Sequence, residues 1–276
     1  MDANRLHQTL RVGLRRLRRS DGGFALSVGG AAELEPTAVA ALALHDARAA
    51  RWLAARQRRD GGLMELDGRP SGPATAALAA LALEESEAGR RALAFAIARR
   101  GLPPPHLDRD RRAGWGWTAD ARALVEPTAR VLIALKALAP EDAATRAEAV
   151  KLLADRRCAD GGWNYGNASH LDVDLRGYAQ TTAVALIALH GQPTGLVAPG
   201  LDFLRRTWRR EPGALTTAQT AVAFRLHGVA AELTDAFDSL GRFSQRPSYF
   251  DQPLAVAWAV LATGPERLLQ PLRGRT

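Results

Sequence analysis

The stretch CADGGWNYGNASHLDVDLRGYAQTTAVALIAL, which runs from Cys158 to Leu189, holds the pattern that decides the fold. It joins an Asp-Gly-Gly-aromatic turn to an apolar segment that opens at Thr182. Equivalent apolar segments open at Thr37, Ala76, Thr128, Thr220 and Leu254. Taken in chain order, the six starts are 39, 52, 54, 38 and 34 residues apart. A self-similar period of about 35 to 50 residues indicates a repeat architecture.

Each repeat pairs two kinds of predicted helix. Segment 4–19 is amphipathic, because its leucines share one helical face and its arginines the other. Segment 35–44, EPTAVAALAL, is apolar on nearly every side. That composition is typical of a helix that is buried all round. The first kind therefore suits an outer layer and the second an inner one.

Six such helical hairpins predict an all-α fold, an (α/α)6 toroid with an inner apolar ring and an outer amphipathic ring. No Ser- or Gly-rich linker interrupts residues 1–276, so we expect a single toroid domain. An open solenoid is the alternative, but it would need polar capping repeats, and segment 249–261 is as apolar as its siblings. Prolines at 103–105 predict an extended or irregular insertion before the third inner helix.

The net charge of +8 raises the question of an anionic partner. Nearly all of the basic residues are arginine, and they are scattered along the chain rather than gathered in one tract. Aromatic residues make up only 6% of the sequence. A nucleic-acid reader usually shows a clustered basic patch and a recognisable module, so we predict no nucleic-acid partner. Peripheral contact with a membrane surface stays open.

The single cysteine, Cys158, allows no internal disulfide and no thiolate zinc site. No uncharged apolar run approaches the 18 or more residues that a spanning helix needs. We therefore predict a cytoplasmic protein without a bound metal. The sequence has no glycine motif of the Walker or Rossmann kind, so no cofactor is predicted either.

The turn at 160–163 followed by QTTAVALIAL at 180–189 resembles the prenyltransferase/squalene-cyclase repeat. That repeat builds terpenoid cyclases and the β subunits of protein prenyltransferases. Trp52, Gln57 and Gly62 resemble a degraded form of the family's glutamine–tryptophan motif, with Leu63 where an aromatic belongs. The resemblance implies the toroid, and it implies an isoprenoid or other apolar small molecule as the ligand.

The catalytic motifs of that family are missing. Triterpene cyclases carry Asp-x-Asp-Asp just before a Thr-Ala pair at the start of an inner helix, but the matching slot at 178–183 reads YAQTTA. Asp172 and Asp174 lie about six residues earlier, as displaced acids or as solvated loop carboxylates. Protonating an alkene needs a carboxylic acid that burial keeps neutral, and the neighbouring Arg176 would oppose that.

Residues that lead into the inner helices face one mouth of the central cavity in this fold. Glu35 and Glu126 are candidate cavity acids, although a carboxylate there also suits the exposed N–H groups of a helix start. The aromatic candidates either line a pocket that stabilises cations or pack the turns. The catalytic candidates are Asp172, Asp174 and Glu126, and the substrate-binding candidates are Trp117, Trp163, Tyr165, Tyr178, Gln180, Tyr249, Asp251 and Glu35.

Three functions fit these observations. The first is a cyclase- or prenyltransferase-like protein that binds an isoprenoid or similar long apolar ligand in a central cavity of the toroid, with catalysis open. The second is a non-catalytic toroid scaffold that binds a protein or peptide partner. The third is a polysaccharide lyase or glycosidase on the same barrel. Glycosidases need a carboxylate pair at matched spacing, which Glu35/Glu126 or Glu126/Asp251 would supply if they face each other.

Overall fold

The computed structural model describes residues 2–102 and 114–274. The described chain forms thirteen α-helices and two small antiparallel hairpins. The helices are α1 (Ala3–Arg16), α2 (Leu34–Leu44), α3 (Ala47–Ala54), α4 (Pro73–Leu83), α5 (Glu87–Ala98), α6 (Val125–Leu138), α7 (Ala143–Asp155), α8 (Ala179–Ala188), α9 (Thr194–Thr207), α10 (Ala214–Leu226), α11 (Ala230–Ser244), α12 (Pro253–Thr263) and α13 (Gln270–Arg273). The hairpins pair β1 (Phe24–Ala25) with β2 (Ala32–Glu33), and β3 (Ser169–His170) with β4 (Val173–Asp174). Short 3-10 segments are Trp208–Arg210, Pro247–Asp251 and Glu266–Leu269.

The even-numbered helices from α2 to α12 form a closed ring. Each packs against the next, and α12 packs against α2. The odd-numbered helices α3 to α11 lie outside, each against the inner helix before it, while α1 packs on α12. Contact between the first and last repeats closes the ring, so the predicted toroid is confirmed and the open solenoid is wrong.

Alanine lets the inner helices approach one another closely. The position after the start of each apolar segment is alanine in all six repeats, and none of the six is more than 2% exposed. These residues are Ala38, Ala77, Ala129, Ala183, Ala221 and Ala255. A larger side chain at these positions would have to displace a packed neighbour, because protein interiors have few voids.

The Asp-Gly-Gly turns end outer helices in one common geometry. In the fourth repeat Asp160 Oδ1 accepts a hydrogen bond from Gly162 N at 3.0 Å, and Gly161 has φ +95°. The turns at 21–23 and 60–62 repeat this bond. A β-carbon on Gly61 would lie 2.4 Å from the carbonyl oxygen of Arg91. The middle glycine is thus required by its φ and also by close packing.

One hydrogen bond joins the two halves of the repeat. Trp163 N donates to Thr182 Oγ1 at 2.9 Å, and Phe24 with Thr37 and Trp115 with Thr128 form the same bond. In the second repeat Ala76 has no hydroxyl, and Ser71 Oγ accepts from Leu63 N at 3.0 Å instead. In three repeats the threonine that opens the apolar segment therefore holds the loop before it, which explains why loop and threonine recur together.

Some local expectations differ from the structure. The first helix ends at Arg16 rather than near residue 19, because the chain turns there into the first Asp-Gly-Gly loop. The two small hairpins were not predicted, since strands of two residues are too short to show an alternating pattern. The insertion at 103–105 lies outside the described residues.

Candidate functional site

All six inner helices start at the same end of the toroid. We call that end the loop mouth, because it carries the long connections before each inner helix, such as 55–72 before α4 and 156–178 before α8. The opposite end, which we call the turn end, carries short connections such as 45–46 between α2 and α3. Functional residues concentrate on loops that a rigid scaffold positions, so a functional site is expected at the loop mouth.

An ion cluster of Glu35, Glu126 and Arg130 spans the loop mouth, and we call it the Arg130 cluster. Arg130 Nη2 on α6 donates to Glu126 Oε1 and to Glu35 Oε1, each at 2.6 Å. Glu35 lies on α2, with α4 between α2 and α6 in the ring. The first turn of α4 carries only small side chains (PATA), which leaves the guanidinium room to reach across. The structure thus brings two predicted acids together through a residue that the sequence analysis missed.

The side chains of the Arg130 cluster are largely buried. The side chains of Arg130 and Glu126 are 7% and 9% exposed, and that of Glu35 is 26% exposed. Burial alone would lower the pKa of Arg130, but the two carboxylates outweigh that effect and raise it. Arg130 therefore stays charged, and two negative groups surround one positive group in a largely dry environment.

Arg130 still has a donor to offer. Its Nη1 is buried and has no hydrogen-bond partner in the described part of the chain. The guanidinium carbon lies 5.1 Å from the ring centroid of Trp117, which is 40% exposed. A buried donor without a partner costs about 1–3 kcal/mol. The vacant hydrogen bond suits an oxygen atom of a ligand that enters beside Trp117.

Two further carboxyl groups lie near the cluster. Burial raises the pKa of Glu33, and the neighbouring Glu35 adds to the shift. Burial also raises the pKa of Glu65, with contributions from Asp67, Glu33 and Glu35. A carboxyl group with a raised pKa is the kind that donates protons near neutral pH. Glu33 and Glu65 come close to the cluster only in the folded chain, so no local pattern in the sequence marks either of them. Arg130 did have a signal, as the charged residue inside the apolar segment EPTARVLIAL.

The aromatic candidates divide into exposed and buried groups. The rings of Tyr165 and Tyr178 lie 5.3 Å apart with a 32° tilt, and the guanidinium of Arg176 lies 4.8 Å from the Tyr178 ring. Tyr165 is 59% exposed, and its carbonyl accepts a hydrogen bond from Val125 N at the start of α6. These two tyrosines form an accessible face next to the Arg130 cluster on the ring.

Trp163 and Tyr249 are buried instead. Trp163 has no exposed surface, and its Nε1 donates to the Leu153 carbonyl at 2.6 Å. Of the two alternatives for the aromatic candidates, lining a pocket or packing a turn, the second describes Trp163. Tyr249 is 2% exposed and packs between Phe243 and Phe250, with ring centroids 5.8 and 5.5 Å away. Burial raises its pKa, and its hydroxyl has no partner among the described residues.

The remaining candidates lie apart from the Arg130 cluster. Asp172 and Asp174 are exposed on the β3–β4 hairpin, so burial does not keep either of them neutral. Asp251 is also exposed, and its carbonyl accepts from Val28 N at 3.3 Å, which links the last loop to the first. Gln180 is half-buried in the first turn of α8.

Exposed apolar side chains gather on the loops of this same mouth, and we call them the apolar rim. Single exposed apolar residues are ordinary, but many of them on the loops of one end indicate an interaction surface. The rim residues are Leu26, Val28, Met64, Leu66, Trp117, Tyr165, Leu171, Val173 and Leu175. Val12 offers a useful contrast because it is 45% exposed but lies on the outer helix α1 and not on a loop of the mouth.

Over the described residues, the histidine, cysteine and acidic side chains form no group of three or more that could hold a metal ion. None of the helices in those residues is both long and apolar enough to cross a membrane.

Several solved structures are similar to this one. A variant of the type II terpene cyclase MstE from Scytonema, in complex with the substrate geranylgeranyl dihydroxybenzoate, is 16% identical, and the match covers 95% of this chain and 97% of that chain with a TM-score of 0.63. A second MstE variant, in complex with the product merosterolic acid A, is 16% identical over 95% and 96% of the two chains, with a TM-score of 0.65. Rex8A from Paenibacillus barcinonensis, complexed with xylose, is 10% identical over 95% and 94%, with a TM-score of 0.59.

The sequence itself matches no protein-family model and no curated protein. At these identities the solved structures establish the fold and leave the ligand and reaction to separate argument. The implied architecture is confirmed over nearly the whole chain. This protein therefore has the α/α toroid fold of the type II terpene cyclases.

Proposed function

We propose that the protein binds an isoprenoid or another long apolar small molecule at the loop mouth, with the polar end of the ligand at the Arg130 cluster. The observation that carries this proposal is the apolar rim, nine large exposed side chains on the loops around a buried ion cluster. Transfer of an apolar chain from water onto such a surface yields about 25 cal/mol per Å² of apolar area. The MstE structure that holds geranylgeranyl dihydroxybenzoate in the same fold supports the choice of ligand.

The β3–β4 hairpin supports a functional origin for the rim. Its two turn residues, Leu171 and Asp172, both have positive φ, at +48° and +60°. Such turns favour Asn-Gly, and a bulky side chain in the left-handed region is an outlier. Leu171 is nevertheless a leucine and is 83% exposed. Folding has no use for a leucine there, whereas a surface that binds apolar ligands does.

Each polar or aromatic group of the loop mouth suits a different role toward the ligand. Arg130 Nη1 is positioned to donate to a ligand oxygen. The faces of Trp117, Tyr165 and Tyr178 suit an apolar chain or a cation. Glu33 and Glu65 are the groups best suited to donate a proton because their pKa values are raised, while Asp172 and Asp174 are exposed. We assign Glu35 and Glu126 to stabilising positive charge.

The geometry argues against an inverting glycosidase at the Glu35/Glu126 pair. The bonded oxygens of the two carboxylates both lie 2.6 Å from Arg130 Nη2, so they are no more than twice that distance apart. Inverting enzymes keep their carboxyl groups about 6.5–9.5 Å apart to admit a water molecule. The guanidinium also occupies the space between the two groups. An inverting glycosidase is therefore a poor fit to this pair of carboxylates.

The proposal is tested by measuring binding of geranylgeraniol and geranylgeranyl diphosphate by native mass spectrometry and by fluorescence titration. The variant Leu171→Asp/Val173→Asp places charge on the rim and should weaken binding about tenfold or more, since each buried side chain contributes roughly 1.5–3 kcal/mol. Val12→Asp is the control, because Val12 is an exposed apolar residue outside the rim, and it should leave binding unchanged. Absence of binding to the unmodified protein would reject the proposal and favour the scaffold alternative, in which the rim binds a protein or peptide. Equal weakening by Val12→Asp would show that the binding is non-specific.

A further inference from the structure

A second pocket opens at the turn end, far from the groups described above. It has a volume of about 480 Å³ and lies between α1, the ends of α2 and α12, and the 3-10 segment Glu266–Leu269. Its polar lining comes mainly from His7, Arg11, His45 and Arg267, with the amides of Asn4 and Gln8 at its edge. No carboxylate is among the residues that line it.

The two arginines of this pocket differ from their neighbours. Arg225 and Arg273 at the same end are both paired with Glu266. Arg11 and Arg267 have no ion-pair partner in residues 2–102 and 114–274. Two unpaired guanidinium groups that face one cavity give it a positive potential.

His7 lines the pocket, and its pKa reflects the positive potential there. Its side chain is largely buried, and its Nδ1 lies 3.4 Å from Thr263 Oγ1. The Thr263 hydroxyl donates to the Ala259 carbonyl at 2.8 Å, so Oγ1 accepts from His7 Nδ1. Burial lowers the pKa of His7, and the nearby charges of Arg11, Arg225 and Arg267 lower it further, against a hydrogen bond to Val260 that raises it. A bound anion would offset the field of the arginines.

The helix ends nearby do not prevent an anion from binding. The last carbonyls of α12 would repel a negative charge if they were free. Arg225 Nη1 instead donates to the carbonyls of Ala262 and Gly264, both at 2.7 Å. At the C-terminus of α2 the Ala41 carbonyl accepts from the backbone N–H groups of His45 and Asp46.

From this lining we infer that the pocket is a binding site for a phosphate-bearing small molecule, held by Arg11, Arg267 and the imidazolium of His7. Arginine binds phosphate oxygens in a bidentate manner, and the volume admits more than one phosphate group. The site is separate from the loop mouth and stands whether or not the isoprenoid proposal holds.

The experiment uses the whole protein with inorganic pyrophosphate as the probe, and inorganic phosphate and acetate as comparisons. Histidine Cε1–H resonances are followed by NMR through a pH titration, while calorimetry gives the dissociation constant. We expect pyrophosphate to raise the pKa of His7 and to leave that of His170, on the exposed hairpin, unchanged. The variant Arg11→Gln/Arg267→Gln should raise the dissociation constant at least about tenfold, because two charge-assisted hydrogen bonds are lost.

Arg15→Gln is the matched control, since Arg15 is an exposed arginine on the same helix outside the pocket. It should bind pyrophosphate as the unmodified protein does. Equal loss of binding in this control, a shift shared by all histidines, or no response of His7 at millimolar pyrophosphate would each overturn the inference. Tighter binding of acetate than of phosphate would also overturn it. Circular dichroism of both variants confirms that a loss of binding is not a loss of folding.

Discussion

At the loop mouth carboxylates meet the first turns of the inner helices, whereas at the turn end basic side chains meet the last carbonyls. Glu35 and Glu126 lie in first turns, and Glu211 accepts from Ala179 N at the start of α8 at 2.8 Å. At the other end Lys136 Nζ donates to the carbonyls of Ala188 and His190, both at 3.0 Å. Six parallel helices add their dipoles, so both arrangements are stabilised by the same field.

Lys136 and Arg130, the buried basic residues at the two ends of α6, differ in how completely their donors are used. Lys136 at the turn end has its partners in the main chain, so it serves the fold. Arg130 at the loop mouth keeps one buried nitrogen without a partner in the described residues, and the surrounding loops expose apolar side chains. Unsatisfied groups and exposed apolar surface both cost stability, which indicates that the mouth is shaped by binding. The following predictions test this contrast.

The largest effect is expected from Arg130→Met at the loop mouth. The change leaves Glu35 and Glu126 close together without their shared cation, and loss of one partner from a buried ion pair costs about 3–5 kcal/mol. Urea unfolding would measure the free energy of unfolding. Adding Glu35→Gln and Glu126→Gln to the variant should recover part of the loss. A single variant within about 1 kcal/mol of the unmodified protein would mean that the cluster is not important for stability.

Gly72→Ala should destabilise the same end by about 1–3 kcal/mol through crowding. Gly72 precedes α4, and a β-carbon there would lie 1.7 Å from the Trp117 carbonyl oxygen. The backbone of the Trp117 loop would have to move, so ligand binding should weaken as well. Gly195→Ala in the first turn of α9 is the control, because a β-carbon at that position would meet no neighbouring atom within 4 Å. Thermal unfolding of the two variants would compare them, and equal melting temperatures would contradict the close approach of the loop.

Lys136→Met tests the turn end, with Lys151→Met as the control on the only other lysine. Removing Lys136 leaves two carbonyls without their donor, at a cost of about 1–3 kcal/mol.

The pH dependence of stability tests the same residue. Burial, together with the nearby charge of Arg146, lowers the pKa of Lys136 to about 8. Between about 8 and its ordinary value of 10.5, the unfolded chain binds more protons at Lys136 than the folded chain does. Stability of the unmodified protein should therefore rise with pH across that window, and the Lys136→Met variant should lack that rise. An unchanged pH slope in the variant would contradict this account.

The smallest effect is expected from Leu171→Asn on the hairpin of the apolar rim. Asparagine tolerates the left-handed region better than leucine, so the free energy of unfolding should increase by about 0.5 kcal/mol. Affinity for geranylgeraniol should fall at the same time, because an exposed apolar contact is lost. Denaturant unfolding and the binding titration together check both directions. A variant that loses stability would show that leucine serves the fold at this position.

The toroid was predictable because its signal is local and repeated. In the first and fourth repeats the Asp-Gly-Gly-aromatic turn and the threonine that opens the apolar segment meet through one hydrogen bond, so the lettering around Trp163 and Thr182 describes a structural unit. The site was less predictable, because its contacts join distant parts of the chain. Arg130 and Glu35 are 95 residues apart in sequence, and the raised pKa of Glu65 depends on carboxylates from another repeat. Trp163 looked like a mouth residue by position, but packing against an outer helix buries it.

The packing of α1 on α12 has a consequence for synthesis of the protein. The apolar face of α1, formed by Leu6, Leu10 and Leu14, finds its main partner in the last helical hairpin, although α1 also touches α2. A ribosome adds about 5–20 residues per second, so that face waits on the order of tens of seconds for its partner. The first helix made is thus among the last to reach its final place. A nascent chain halted before α12 would expose that face and be a substrate for chaperones rather than a shorter folded protein.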